Sequence, residues 1–324
     1  MSDATEFKGR DIVSLKDFSR ADVEKVLDVA EEMDPIFEEE RETDLLKNKI
    51  LGTCFFEKST RTRISHESAM HRLGGDVNGF ADVSVTRAGG WRSETVADTL
   101  RMMDYYSSAI VIRHPEEGMA ERAADIVDVP VLNGGDGGNE HPTQAMLDMY
   151  TMRKEHGSLD GLKVALVGDL AHERTYHSLG YGLSNFDVDL QLVYPRGCDM
   201  RQEVHKELRK AGVIETETHD LDDVISEADV IYTDLLRKEE FEEDEYERLL
   251  ANYYQFTPAE LRDAKDDAIL LQPLPRTYEH GFQITPPVDD LPQAKYFEQA
   301  RNGVVARMAL LGLVLKGNDV TEHL

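Results

Sequence analysis

Cysteine is scarce in this chain: Cys54 and Cys198 are the only two in 324 residues. Two isolated cysteines build neither a disulfide framework nor a paired zinc motif, so a reducing cytoplasm is the expected compartment. No apolar run approaches the roughly 18 residues of a membrane span. The polar, acidic start Met1-Ser2-Asp3-Ala4-Thr5-Glu6 has no secretory h-region. Positive charge is also short. Lys and Arg number 36 against 64 Asp and Glu, a formal net charge of -28, and lysine supplies only 14 of the 36. Such a chain repels phosphate backbones and anionic bilayers, which argues against nucleic-acid and membrane-surface partners. Abundant carboxylate with little lysine fits adaptation to high salt, where carboxylates keep a surface hydrated. A small anionic substrate is still allowed, provided basic residues are gathered locally against the global field.

What is present is an alternation of strand-like apolar runs with helical patterns, the mark of parallel α/β sheets. Ser19 and Asp22 form a capping-box start, with Val23, Val26, Leu27 and Ala30 following at helical spacing. Strands are expected at residues 50–56, 109–112 and 129–132, with helices at 60–73 and 141–152. The pattern then restarts. Strands are expected at 162–167, 190–194, 230–232 and 268–271, a helix from about Arg174, and an apolar helix at 302–315. A boundary near residue 150 gives two open α/β domains with a cleft between them, where ligands sit at the carboxyl ends of the strands. The acidic run at 239–244 reads as a solvated face.

Four segments carry chemistry. The first strand is followed by Ser59-Thr60-Arg61-Thr62-Arg63. Hydroxyls, a helix N-terminus and two arginines suit a phosphate; a basic helix start pairing with local glutamates is the plainer alternative. No GxxxxGK[ST] loop occurs. Residues 133–144 combine glycines with His141-Pro142-Thr143-Gln144, placing an imidazole at a helix start where the neutral form can donate to a carbonyl oxygen. Residues 167–175 resemble a nucleotide-binding turn, but GxGxxG is absent and a dinucleotide is disfavoured. Arg174 there can meet a carboxylate. In Gln272-Pro273-Leu274-Pro275-Arg276 two prolines set an extended turn at a strand end.

Together these segments resemble the aspartate/ornithine carbamoyltransferase family, and its aspartate branch most closely, over about residues 9–316. The Ser-Thr-Arg-Thr-Arg motif at 59–63, Arg113 in Ile112-Arg113-His114-Pro115, His-Pro-Thr-Gln at 141–144, Arg174-Thr175, Pro-Leu-Pro-Arg at 273–276 and Arg301-Asn302-Gly303 with Arg307 carry the likeness. The resemblance implies two Rossmann-like domains with an interdomain cleft. Residues 1–150 would bind carbamoyl phosphate and 151–300 the second substrate, and the 301–324 helix would return to the first domain. It implies that Ser59, Thr60, Arg61, Thr62, Arg113, His141 and Gln144 bind carbamoyl phosphate, with Arg92 added from a neighbouring subunit. Arg61, Thr62, Arg113 and His141 would be the catalytic set, with no metal or other cofactor. It further implies a homotrimer with shared active sites and leaves room for a regulatory chain. The product from aspartate would be N-carbamoyl-aspartate, a pyrimidine precursor.

The departures from the family gather on the second substrate, whose expected binding set is Arg174, Asp234, Arg237, Gln272, Pro273, Leu274 and Trp91. Where aspartate enzymes carry Thr-Arg-x-Gln, this chain reads Thr233-Asp234-Leu235-Leu236-Arg237. Either Asp234 replaces the arginine, or Arg237 takes its role from one turn away. Ala88 stands for a serine and Arg92 for a lysine in the loop that holds Trp91, the only tryptophan. Gln272 replaces a histidine, and His66 replaces a phenylalanine. These changes keep open a second acceptor amine and a catalytically silent binding subunit beside the aspartate reading.

Overall fold

The computed structural model describes residues 4–39, 43–88, 93–276 and 283–324. It forms two compact units, Met1–Tyr150 with Arg301–Leu324, and Thr151–Ala300.

The first unit opens with α1 (Arg20–Glu38), started by the capping box: Ser19 accepts from the Asp22 N–H while the Asp22 carboxylate accepts from the Ser19 N–H. Val23, Val26, Leu27, Ala30 and Met33 form its buried stripe. There follow β1 (Ile50–Phe55), α2 (Arg61–Arg72), β2 (Asp76–Phe80), α3 (Val96–Tyr106), β3 (Ala109–His114), α4 (Met119–Ala124), β4 (Val131–Asp136) and α5 (Pro142–His156). The sheet is wholly parallel in the order β2-β1-β3-β4. Its central strands are apolar because both faces are covered. Cys54, Ile110, Ile112 and Val131 pack with Leu100 and Met103 of α3 on one side.

The second unit contains β5 (Lys163–Val167), α6 (Arg174–Leu183), β6 (Asp189–Val193), α7 (Gln202–Ala211), β7 (Ile214–Thr218), β8 (Val230–Thr233), α8 (Glu243–Leu250) and β9 (Ile269–Leu271). Its parallel order is β7-β6-β5-β8-β9. Val167, Val193, Ile231 and Leu270 share a core with Phe256, Ile284 and Tyr296. The long α9 (Tyr296–Lys316) ends in the first unit. There Val305, Met308, Leu310, Leu311 and Leu313 are fully buried, the Gly9 N–H donates to the Val314 carbonyl at 2.9 Å, and Arg301 pairs with Asp34 at 3.0 Å.

The structure adds two strands to those expected, β2 and β7. Both are sheet edges with half-exposed, polar sequences, Asp-Val-Asn-Gly-Phe and Ile-Glu-Thr-Glu-Thr, so neither gives an apolar run. The strand expected to end at 132 continues to Asp136, and Gly134 and Gly135 therefore belong to β4 rather than to a loop. No described helix is long and apolar enough to cross a membrane.

In each sheet the strand order reverses at one place, between β1 and β3 in the first unit and between β5 and β8 in the second. Connections leave to opposite faces there, opening a crevice beyond the carboxyl ends of the strands. The segments after β1 and β3, and those after β5 and β8, hold most of the chemically interesting residues.

Candidate active site

In the first unit, β1 delivers the chain into α2. Ser59 is half-buried, Thr60 and Arg61 are exposed at the helix start, and Thr62 is buried. Thr60 makes no side-chain cap to its own helix. The early N–H groups of α2 and the Arg61 charge form an anion-favouring end. Arg63 points elsewhere: it pairs with Glu67 one turn on, at 2.7 Å, so the plainer reading of a basic helix start holds for this residue.

Arg113 lies near the carboxyl end of β3, one strand from β1, and its guanidinium pairs with Glu57 at 2.9 Å. Beyond β4, Glu140 is anchored by the Ser14 hydroxyl at 2.5 Å and the Leu15 N–H at 3.0 Å. The neighbouring His141 is buried at the mouth of α5. Its Nε2 lies 3.2 Å from the Thr62 hydroxyl and its Nδ1 3.4 Å from that of Thr143. Two helix starts thus meet through one imidazole–hydroxyl contact.

Gln144 sits in the first turn of α5 and donates from Nε2 to the buried Asp148 carboxylate at 2.9 Å. A carboxylate only accepts, so this bond fixes the amide and leaves its carbonyl oxygen as the acceptor. Behind the site, His66 Nδ1 donates to the Thr62 carbonyl at 2.7 Å, and Arg307 Nε packs 3.1 Å from the same nitrogen. Both are buried, and burial followed by the Arg307 charge pushes the His66 pKa well down. His66 is therefore a neutral packing residue wedged between α2 and α9. Burial pulls Arg307 down to about 10, with Asp148 opposing.

In the second unit, β5 ends at Val167 and is followed by Gly168, whose φ of +142° suits glycine. A Cβ there would stand 2.5 Å from the Tyr253 hydroxyl and 2.6 Å from that of Tyr176. The space lets Tyr176 donate to the Val167 carbonyl at 2.7 Å and accept from the Asp234 N–H at 2.7 Å, tying β5 to β8. Asp169 closes the turn by accepting from the Ala171 and His172 N–H groups.

Glu173, Arg174 and Thr175 follow, all buried at the start of α6. From β8, Asp234 reaches the same place. Its carboxylate accepts from the Thr175 hydroxyl and the Leu235 N–H, each at 2.8 Å. Burial raises its pKa to about 6, against the lowering effect of those bonds and of Arg237 and Arg174. Glu173 is pushed up as well, first by burial and then by the Asp234 charge. Arg237 pairs with Glu173 at 3.6 Å, Glu239 at 3.2 Å and Glu240 at 3.6 Å. Burial works against its charge, but these carboxylates outweigh it and hold its pKa up. Part of the acidic run beyond residue 238 is thus committed to an arginine rather than merely solvated.

Gln272 turns back on its own loop: Oε1 accepts from the Leu274 N–H at 2.5 Å, Nε2 donates to the Pro275 carbonyl at 3.3 Å, and its N–H donates to Gln299 at 2.8 Å. Pro273 and Leu274 are half-buried, and the Leu274–Pro275 bond is cis. Arg276 grips Asp289 through both terminal nitrogens, at 2.5 and 3.1 Å. Ala88 donates its N–H to the Thr86 hydroxyl at 3.2 Å. Trp91 and Arg92 lie outside the described residues.

The first unit therefore brings Ser59, Thr60, Arg61, Thr62, Arg113, His141 and Gln144 to the carboxyl ends of β1, β3 and β4. The second brings Arg174, Asp234 and Arg237 to those of β5 and β8. Three participants escaped sequence reading: Glu57, Asp148 and Glu173. Asp148 was within reach, since it stands four residues after Gln144 in a helix. Among the described residues no group of three or more His, Cys, Asp or Glu side chains is arranged to hold a metal ion.

Comparison with known proteins agrees with this geometry. Residues 10–154 match the family model for the aspartate/ornithine carbamoyltransferase carbamoyl-P binding domain. Residues 160–314 match the model for the Asp/Orn binding domain of the same family. The aspartate carbamoyltransferase catalytic subunit of Methanothermobacter thermautotrophicus is 48% identical over 312 residues, covering 96% of this chain and 97% of the relative. That of Thermococcus onnurineus is 44% identical over 310 residues, covering 96% and 98%. Aspartate transcarbamoylase from Trypanosoma cruzi, solved with carbamoyl phosphate and aspartate, superposes with a TM-score of 0.87 at 38% identity over 95% of this chain and 96% of its own. The catalytic subunit from M. jannaschii gives a TM-score of 0.84 at 37% identity over 97% and 98%. With both of its units matched and these relatives aligned nearly end to end, the chain belongs to the aspartate/ornithine carbamoyltransferase family.

Proposed function

We propose that this enzyme transfers the carbamoyl group of carbamoyl phosphate to the amino group of an amino acid, with L-aspartate the leading acceptor. The products are then N-carbamoyl-L-aspartate and phosphate, in pyrimidine biosynthesis. The observation that carries the reading is the contact of His141 with Thr62 where α5 and α2 begin.

The phosphate is held by Ser59, Thr60, Arg61 and the N–H groups at the start of α2. Thr62, Arg113 and His141 donate to the carbonyl oxygen and stabilise the negative charge that grows there. The Gln144 carbonyl oxygen, oriented by Asp148, accepts from the carbamoyl NH2. The acceptor amine attacks the carbonyl carbon, a C–N bond forms, and the tetrahedral intermediate expels phosphate as its C–O bond breaks. The departing phosphate takes the proton that the amine loses. Positioning and preorganised charge supply the rate, and no protein nucleophile is used.

Arg174 binds an acceptor carboxylate in this reading, and Arg237 supplies the second cation. The aspartate carbamoyltransferase names of the relatives support aspartate. A second acceptor is favoured by one feature, the buried Asp234 and Glu173 beside those arginines. The reading also includes a homotrimer in which Arg92 and its loop serve the neighbouring subunit's site, a cytoplasmic location, and a high-salt habitat.

Replacing Arg61 tests the phosphate cradle. Titration calorimetry with carbamoyl phosphate should show binding by the wild type and its loss in Arg61→Ala. Near-normal affinity in a folded variant would remove the cradle from the mechanism.

A further inference from the structure

The acceptor half of the second unit holds a carboxylate for which the chemistry above has no use. Glu173 precedes Arg174 at the start of α6, yet its side chain makes no capping bond to that helix. It faces Arg237 instead, with Oε1 3.6 Å from Nε. The two side chains are 10% and 22% exposed, whereas the other carboxylates on Arg237, Glu239 and Glu240, are 65% and 34% exposed. Water screens the outer pairs and leaves them weak. The inner pair sits where the dielectric is lower and attraction at the same distance is several-fold stronger.

We propose that Glu173 is a specificity-determining residue of the acceptor site: it occupies Arg237, so a second carboxylate on the acceptor must compete with the chain's own. The proposal rests on the carbamoyl-transfer reading. Asp234 reinforces the effect. Its carboxylate is fixed by Thr175 and Leu235 and cannot turn away. Asp234 places a second buried acid beside Arg174 and Arg237, so the positive charge that would draw in a dicarboxylate is partly offset. An acceptor with a neutral or cationic distal group pays no such competition.

The test is Glu173→Gln, which keeps the side chain's shape and removes its charge. Two readouts are needed: the KM values for aspartate and carbamoyl phosphate, and the calorimetric Kd of succinate, a dicarboxylate without an amine, at saturating phosphate. Removing a buried competitor should lower the aspartate KM and the succinate Kd by about tenfold, leaving the carbamoyl phosphate KM unchanged. Glu239→Gln, which removes an exposed partner, should change neither. Unchanged or weaker dicarboxylate binding in a folded Glu173→Gln protein overturns the proposal, as does succinate binding by neither form. A wild type without turnover on any amine counts against carbamoyl transfer alone, because the succinate titration still decides the role of Glu173.

Discussion

Asp234 offers a stability test whose sign follows from its surroundings. Its carboxyl titrates near 3.8 in an unfolded chain and is raised to about 6 in the folded protein, chiefly by burial. Between those values the native state holds a proton that the unfolded state has released. Stability therefore falls as pH rises through the window and stays lowered above it. A shift of about 2 units corresponds to about 3 kcal/mol. Asp234→Asn removes the ionisation and keeps the contacts. Its Oδ1 can accept from the Leu235 N–H, and its amide can donate to the Thr175 hydroxyl, which turns to accept. The variant should match the wild type near pH 4 and exceed its stability by about 1–3 kcal/mol near pH 7. Glu173, relieved of a like charge, pushes in the same direction. Urea unfolding followed by circular dichroism at fixed salt across this range provides the measurement. A difference independent of pH, or a variant weaker at neutral pH than at acid pH, would refute the argument that burial outweighs the two arginines.

Two further expectations concern the first unit. Thr62→Val keeps the volume at the start of α2 but removes the hydroxyl that meets His141. Its kcat should fall by about 10²–10³, the usual effect of one oxyanion donor, with little change in melting temperature; a rate near wild type would show that the hydroxyl is idle. Ser19→Ala breaks one half of the α1 capping box and should cost about 1 kcal/mol in thermal or urea unfolding, without altering the KM for carbamoyl phosphate.

Much of this fold was legible in the sequence because parallel strands covered on both faces read as apolar runs. β1, β3, β5, β8 and β9 are such strands, and the Ser19–Asp22 cap is a local signal of the same clarity. β2 and β7 were not legible, since these two edges are polar and only half-buried and so give no apolar run. The phosphate and carbonyl residues were readable because each group lies within a few positions of one strand end. Pairings between distant segments were not. Whether Asp234 or Arg237 stands for the missing arginine depends on side-chain direction, and there the structure is specific. Asp234 turns to Thr175 and Leu235, while Arg237 turns to Glu173, Glu239 and Glu240. Similarly, His66 reads as an isolated substitution until Arg307, 241 residues away, is found packed against its ring.

The central claim is that the chain moves a carbamoyl group from carbamoyl phosphate to an amine. Its most direct test is a coupled measurement of ureido product and released phosphate, with carbamoyl phosphate and a panel of amines that includes aspartate. The account predicts equal amounts of both products, with aspartate as an acceptor, and none when carbamoyl phosphate is omitted. Turnover with another amine and none with aspartate would contradict the aspartate assignment. No ureido product from any amine, by a folded protein at high and low salt, would contradict carbamoyl transfer itself.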